Sequence, residues 1–174
     1  MKALVILAHP KIMESRINRR LIEEVRKDPG ITVHELYPSY PDWVIDVPRE
    51  QELLEKHDRI VFQFPLYWYS TPPMLKKWQD DVLTYGWAYG SQGKKLQGKE
   101  LLIATSIGGR QEVYQAGGKN HFTMSEILRP LHATANMCRM TYLPAFVVDG
   151  ASDDSELNEA AIRYVNRIRK SESQ

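Results

Sequence analysis

A short apolar run followed by a stretch with helical spacing recurs five times along this chain, and few folds accommodate that pattern. Residues 3–7 (ALVIL) are continuously apolar, as expected of a strand covered on both faces. Ser15 is a good helix cap, Ile17, Leu21 and Val25 follow at helical intervals, and Asp28-Pro29-Gly30 ends that helix. Residues 31–36 alternate apolar and polar and predict a more exposed second strand, while residues 37–47, with two prolines, predict a loop. A short helix is expected over 49–56 and a third strand over 59–64, stopping at Pro65. Thr71 and Pro72-Pro73 start a helix whose apolar face is Leu75, Trp78, Val82 and Leu83. After a loop over 86–98, residues 100–106 predict the fourth strand. Ser125 is the expected cap of a helix reaching Cys138, which Pro130 must either restart or kink. Residues 140–148 predict the fifth strand, and a capping pattern at Asp153 opens a last helix carrying Leu157, Ala161, Tyr164, Val165 and Ile168. Residues 170–174 form a polar tail.

Strand-then-helix order implies parallel strands joined by right-handed helical crossovers, and so an α/β three-layer sandwich. For five strands the doubly wound solution is a parallel sheet of order 2-1-3-4-5, the flavodoxin-like arrangement. Residues 1–174 suffice for one such domain with a sizeable core. Ligands of this sheet bind beyond the carboxyl ends of the strands, at the switch point between strands one and three. Three loops are thereby nominated: residues 9–18, 65–71 and 106–121.

Composition narrows the partners. With 23 basic and 22 acidic residues the formal charge is +1, which gives no general attraction to nucleic acid or anionic membrane. A single cysteine, Cys138, rules out an internal disulfide or a CxxC redox pair. The five histidines show no metal-ligand spacing, so no metal site is expected. The apolar N-terminal run is too short for a signal sequence and no stretch approaches a membrane span, so cytoplasmic residence is the expectation. Residues 93–99 imitate a phosphate-binding P-loop, but Glu100 stands where Ser or Thr belongs and the segment precedes a strand.

Each nominated loop is unusual. Residues 9–18 join a buried strand to a helix N-terminus, whose free amides and dipole favour an anion. Ser15 and Asn18 add neutral donors there, and His9 and Arg16 charge-assisted ones. This suits a phosphate monoester; alone, the same residues equally serve to cap a helix. Residues 65–71 hold Tyr67, Trp68 and Tyr69 between prolines, and large exposed aromatics need a partner: a stacked heteroaromatic ring, the core edge or a subunit interface. Gly108-Gly109 after the fourth strand lets backbone amides approach an electron-rich ring edge, or simply makes a turn.

Together, Ala8-His9-Pro10 with Ser15 and Asn18, residues 65–69, residues 86–90 and Ile107-Gly108-Gly109 resemble the flavodoxin-fold NAD(P)H:quinone oxidoreductases over essentially the whole chain. The short bacterial members are most similar, including ancillary subunits of glutathione-gated potassium efflux systems. The resemblance implies FMN, with FAD disfavoured because the chain stops after its fifth helix. It implies that His9, Ser15, Arg16, Ile17 and Asn18 hold the phosphate and ribityl chain. Pro65, Leu66, Tyr67, Trp68 and Tyr69 would line the isoalloxazine, and Ser106, Ile107, Gly108 and Gly109 would meet its pyrimidine edge. Tyr114 matches the family's active-site tyrosine. His121 resembles its partner histidine, one residue out of register. A homodimer is implied, in which Tyr89 reaches the neighbour's flavin.

The implied chemistry is ping-pong, with NADH or NADPH and then a quinone using one flat apolar face. Arg110, Lys119 and Arg139 are the basic residues that would favour NADPH. The same likeness also covers a regulatory subunit of a potassium efflux transporter, peripheral to the inner face of the membrane. Azo- and nitroreductases differ only in acceptor. A one-electron carrier fits less well with the near-neutral charge and the aromatic loop over 86–90.

Overall fold

The computed structural model describes residues 1–170; the rest of the polar tail, residues 171–174, lies outside the described residues. The strands are β1 (Ala3–Leu7), β2 (Ile31–Glu35), β3 (Arg59–Pro65), β4 (Glu100–Ile107), β5 (Thr141–Tyr142) and β6 (Phe146–Asp149). The helices are α1 (Arg16–Val25), α2 (Leu36–Ser39), α3 (Val47–Glu55), α4 (Pro73–Val82), α5 (Met124–Ile127), α6 (Arg129–Met137) and α7 (Asp154–Arg169). All strand pairs are parallel in the order β2-β1-β3-β4-β5, with β6 also on β4. This is the expected flavodoxin-like sheet.

Period-two alternation divides the central strands between two cores. Leu4 and Ile6 of β1, with Ile60, Phe62, Leu101 and Ile103, pack beneath α3, α4 and α6. Ala3, Val5 and Leu7, with Val61 and Leu102, pack against α1 and α7. Trp78 of α4 lies fully buried, edge-on to Phe62 at 5.6 Å between centroids. At the opposite end of the sheet from the site, the buried Arg59 guanidinium bonds Glu100 at 2.6 Å and donates to the carbonyls of Ile168 and Arg167. It thereby satisfies the last turn of α7, whose carbonyls lack helical donors.

Three elements differ from expectation. Residues 37–47 are not wholly loop: Leu36 is buried, and the Tyr40 amide returns to the Leu36 carbonyl to close a helical turn in which Pro38 is tolerated near the start. The helix expected over 125–138 is two helices, capped by Thr123 in a capping box with Glu126 and not by Ser125, and Pro130 restarts it as α6. The fifth strand is broken into β5 and β6 around Pro144, which has no amide for the ladder; an edge strand accommodates the interruption.

Candidate functional site

The carboxyl ends of β1, β3 and β4 converge, and hydrogen bonds lace their following turns together. The Ala8 amide donates to Gln63 O at 2.9 Å, and the Leu66 amide to Ser106 O at 2.9 Å. The Asn18 side-chain amide donates to Ser106 Oγ at 2.8 Å. All three nominated loops therefore share one rim.

In the first loop Ser15 caps α1, its Oγ accepting the Asn18 amide at 3.1 Å. The amides of Arg16 and Ile17, in the first turn, have no helical acceptor and remain for an anion. His9 Nδ1 accepts from the Lys11 amide at 3.1 Å, which leaves the ring's proton on Nε2 as a donor. Burial holds His9 below its ordinary pKa against the opposing pull of Glu14. Its contribution is a neutral N–H donor, where a charge-assisted one was expected. The Arg16 guanidinium is engaged elsewhere, with Asp154 at 2.8 Å and Ser152 O at 2.7 Å, which fastens α1 to the start of α7. Asn18, expected among the residues that hold the phosphate and ribityl chain, is buried beneath the rim.

In the second loop the amides and carbonyls of Tyr67 and Ser70 bond each other at 2.9 and 3.0 Å, closing a tight two-residue turn. Its central residues are Trp68 at φ 47° and Tyr69 at φ 62°. Glycine and asparagine suit that left-handed conformation; bulky aromatics do not, at a cost of about 1–3 kcal/mol each. The indole of Trp68 is 93% exposed. Pro65 is buried and Leu66 half-buried, so both support the turn from below.

In the third loop Ile107 is buried, while Gly108 and Gly109 lie open. A Cβ at Gly108 would meet nothing within 4 Å, and Gly109 has φ 77°. The Tyr114 hydroxyl donates to Gly108 O at 3.2 Å, and burial raises its pKa. The Tyr69 hydroxyl donates to Asn120 Oδ1 at 3.2 Å, and Asn120 lies beside Tyr114. His121 is exposed at φ 60°. Asn120, the residue before His121, is the side chain that lies beside Tyr114.

Tyr89 does not join this rim. It is half-buried and edge-on to Tyr85 at 5.7 Å, on a groove of about 470 Å³ between α4 and α6 with Leu83 and Met137. A smaller pocket shares Lys76, Gln79 and Thr134 with that groove and reaches Tyr69.

The rim thus presents helix-terminal donors at one end, exposed aromatic rings in the middle and open glycine amides at the other, a sequence of chemistries suited to a flat phosphorylated ring. A family model described as flavodoxin-like fold matches residues 1–170. The chain belongs to that family. Among relatives, this flavodoxin-like chain is 53% identical over 170 residues to the uncharacterized NAD(P)H oxidoreductase YdeQ of Bacillus subtilis (strain 168), covering 97% of this chain and 86% of the relative. It is 44% identical over 160 residues to the glutathione-regulated potassium-efflux system ancillary protein KefG of Cronobacter sakazakii (strain ATCC BAA-894), covering 92% and 86%. Among solved structures, general stress protein 14 of Treponema denticola in complex with FMN superposes with a TM-score of 0.93 at 43% identity, covering 97% and 98% of the two chains. The NADPH-quinone reductase of P.pentosaceus superposes at 0.90 and 35% identity, covering 98% and 99%.

Sequence reasoning about this flavodoxin-like chain missed Gln63, Asn120 and Tyr164. Gln63 sits at the end of an apolar strand, fully buried, and donates to Asn18 O at 3.0 Å. The Tyr164 hydroxyl donates to Gln63 Oε1 at 3.1 Å from α7. The available signal was a glutamine inside a run that buries everything else, since a buried amide needs partners. Among the described residues no group of His, Cys, Asp and Glu could hold a metal, and no helix is long and apolar enough to cross a membrane.

Proposed function

We propose that the protein is a flavin-dependent NAD(P)H oxidoreductase that binds FMN at this rim and passes electron pairs, in ping-pong order, from NADH or NADPH to a quinone-like acceptor. The observation that carries the reading is the Trp68–Tyr69 turn. A chain that holds two bulky aromatics in left-handed backbone, one of them 93% exposed, keeps a costly feature that stability does not require. A stacked ring accounts for it. The FMN complex of the 43% identical relative and the names of the NAD(P)H oxidoreductase relatives supply the ring's identity.

The residues present fit FMN. Ser15, the Arg16 and Ile17 amides and the His9 Nε2–H suit a phosphate without needing a free arginine. Bound FMN supplies the exchange of an electron pair with nicotinamide or quinone. The chain does the rest: the turn at Trp68 and Tyr69 shapes one flat face that both partners use in succession, and the Gly108 and Gly109 amides stabilise negative charge at the ring edge. Tyr114, held protonated, offers a hydroxyl beside that edge. A second copy of the chain completes the site, its Tyr89 reaching the neighbour's ring; exposed Tyr85 and Met137 beside the groove suit that contact.

The test is to record the visible spectrum of the purified protein, then follow NADH and NADPH oxidation with a benzoquinone. Yellow protein and quinone-dependent oxidation are expected. Colourless protein that stays colourless after incubation with FMN ends the reading. The KefG likeness favours a second role for the same domain, as the ancillary subunit of a potassium efflux transporter at the inner face of the membrane. Co-purification with such a transporter tests that role.

A further inference from the structure

Beneath the rim, four side chains from four elements form one continuous line of hydrogen bonds, and their chemistry leaves only one direction for it. Asn18 O is a carbonyl and can only accept, so the atom of Gln63 facing it at 3.0 Å is Nε2. Gln63 Oε1 then faces the Tyr164 hydroxyl at 3.1 Å and accepts from it. Burial pushes the Tyr164 phenol far up, so that proton is always present. Gln63 Nε2 also approaches Asn18 Oδ1 at 3.5 Å, a long contact whose alternative is two amide nitrogens face to face. Asn18 Nδ2 therefore faces Ser106, and Ser106 Oγ accepts at 2.8 Å. A hydroxyl that accepts from one neighbour has its own hydrogen left to give. Among the described residues no protein group accepts it, and half-buried Ser106 lies at the rim end of β4 beside Gly108.

We propose that Tyr164, Gln63 and Asn18 form a one-way relay that commits the Ser106 hydroxyl to donate to an acceptor group of the ligand on the rim. The inference rests on the FMN reading and deepens it. A committed donor favours the more electron-rich form of the ring, so the relay raises the midpoint potential of bound FMN from beneath the sheet. Tyr164 and Gln63, which stand back from the rim, are positioning residues: they act through Asn18 and Ser106. The polarity is fixed where Gln63 Nε2 meets the Asn18 carbonyl, is matched by Tyr164 of α7 at the other end of the Gln63 amide, and is delivered at the carboxyl end of β4. An undirected alternative, in which Ser106 gives its hydrogen to Asn18 Oδ1, would leave the ligand facing an acceptor and would favour an N–H group there instead.

Gln63→Glu reverses the relay with almost no change of shape. An ionised carboxylate can only accept, so it loses the Asn18 carbonyl and must draw its donor from the Asn18 side-chain amide, which rotates, turns its Oδ1 to Ser106 and sends the hydroxyl hydrogen inward. A protonated carboxyl donates again and restores the original direction. The midpoint potential of bound FMN is measured spectroelectrochemically for wild type, Gln63→Glu, Ser106→Ala and the double variant, from about pH 5.5 to about pH 9.5 to bracket a raised buried carboxyl. At the alkaline end Gln63→Glu is expected to bind reduced FMN about tenfold less favourably relative to oxidised FMN, a potential about 30 mV below wild type. The gap should close at the acid end and vanish throughout in the Ser106→Ala background. A gap that ignores pH, or that persists without the Ser106 hydroxyl, overturns the relay. So does a Gln63→Glu potential equal to wild type at every pH. Should Gln63→Glu not fold, a neutron structure of the wild type decides: deuterium on Ser106 Oγ directed at Asn18 overturns the proposal, and directed at the rim supports it. Wild type that fails to bind FMN is a separate outcome, which removes the functional reading and the relay's ligand together.

Discussion

The Tyr69 hydroxyl donates to the side-chain carbonyl of Asn120 across 3.2 Å, so the strained aromatic turn after β3 is tied to the loop that carries Tyr114. A single hydrogen bond links two loops that lie 51 residues apart in sequence. Asn120 also lies beside Tyr114, whose hydroxyl donates to Gly108 O, so three side chains gather on one edge of the rim.

That geometry ranks the loop residues. Tyr114→Phe and Asn120→Ala are each expected to slow flavin reduction or reoxidation about tenfold, the scale of one lost hydrogen bond to a charged group. His121→Ala, altering an exposed ring outside the cluster, is expected to change either half-reaction less than twofold. Stopped-flow traces of the two half-reactions check the order, and an effect of His121 exceeding that of Asn120 would restore the expected histidine.

Trp68→Gly is expected to separate stability from binding. Glycine adopts φ 47° freely, and an indole 93% exposed contributes little packing, so the FMN-free protein should gain about 1 kcal/mol. The same change removes a stacking surface and should weaken FMN tenfold or more, consistent with strain kept for function. Urea unfolding of apoprotein, together with FMN fluorescence quenching, measures both. A variant that is less stable, or that binds FMN as wild type does, contradicts this account of the turn.

His9 supplies a pH dependence. Its folded pKa lies below the ordinary value of 6.5 because burial disfavours the cation. The unfolded chain therefore binds more protons between the folded and unfolded values, and stability rises with pH through that window. Below the unfolded value, stability is progressively lost as pH falls through the folded pKa. A bound phosphate beside the ring should pull the pKa back up, so that FMN uptake is accompanied by proton uptake near pH 6. Apoprotein melting curves and calorimetry in buffers of differing ionisation heat test the two halves. His9→Asn should flatten both.

Arg59→Met is expected to cost about 3 kcal/mol in denaturant unfolding while leaving FMN affinity unchanged. It keeps the bulk but strands Glu100 and uncaps the carbonyls of Ile168 and Arg167. Arg59 lies at the far end of β3 from the rim, so a large loss of FMN binding would show that the two ends of the sheet are coupled.

Local sequence was sufficient wherever one periodicity or one cap decides the conformation. The ALVIL run, the Ser15 cap and the Asp153–Glu156 capping box report interactions within a few residues, and each is present as expected. Where two local signals compete, packing chose between them: Thr123 and not Ser125 caps the helix, and Pro144 divides the last strand. The doubly wound order also followed from sequence, because right-handed crossovers leave few ways to wrap five strands.

The chain's own order of residues thus determined which three turns share a rim and that they carry donors, aromatics and glycines. Tertiary structure alone decided what each side chain does there. Arg16 is taken by Asp154, Asn18 is turned inward to Ser106, and Asn120 accepts from Tyr69. Gln63 bonds Asn18 across 45 residues of sequence and Tyr164 across 101. Hydrogen-bond partners at such separations depend on sheet register and helix docking, and a hydrophobic pattern specifies faces without specifying which polar atoms meet.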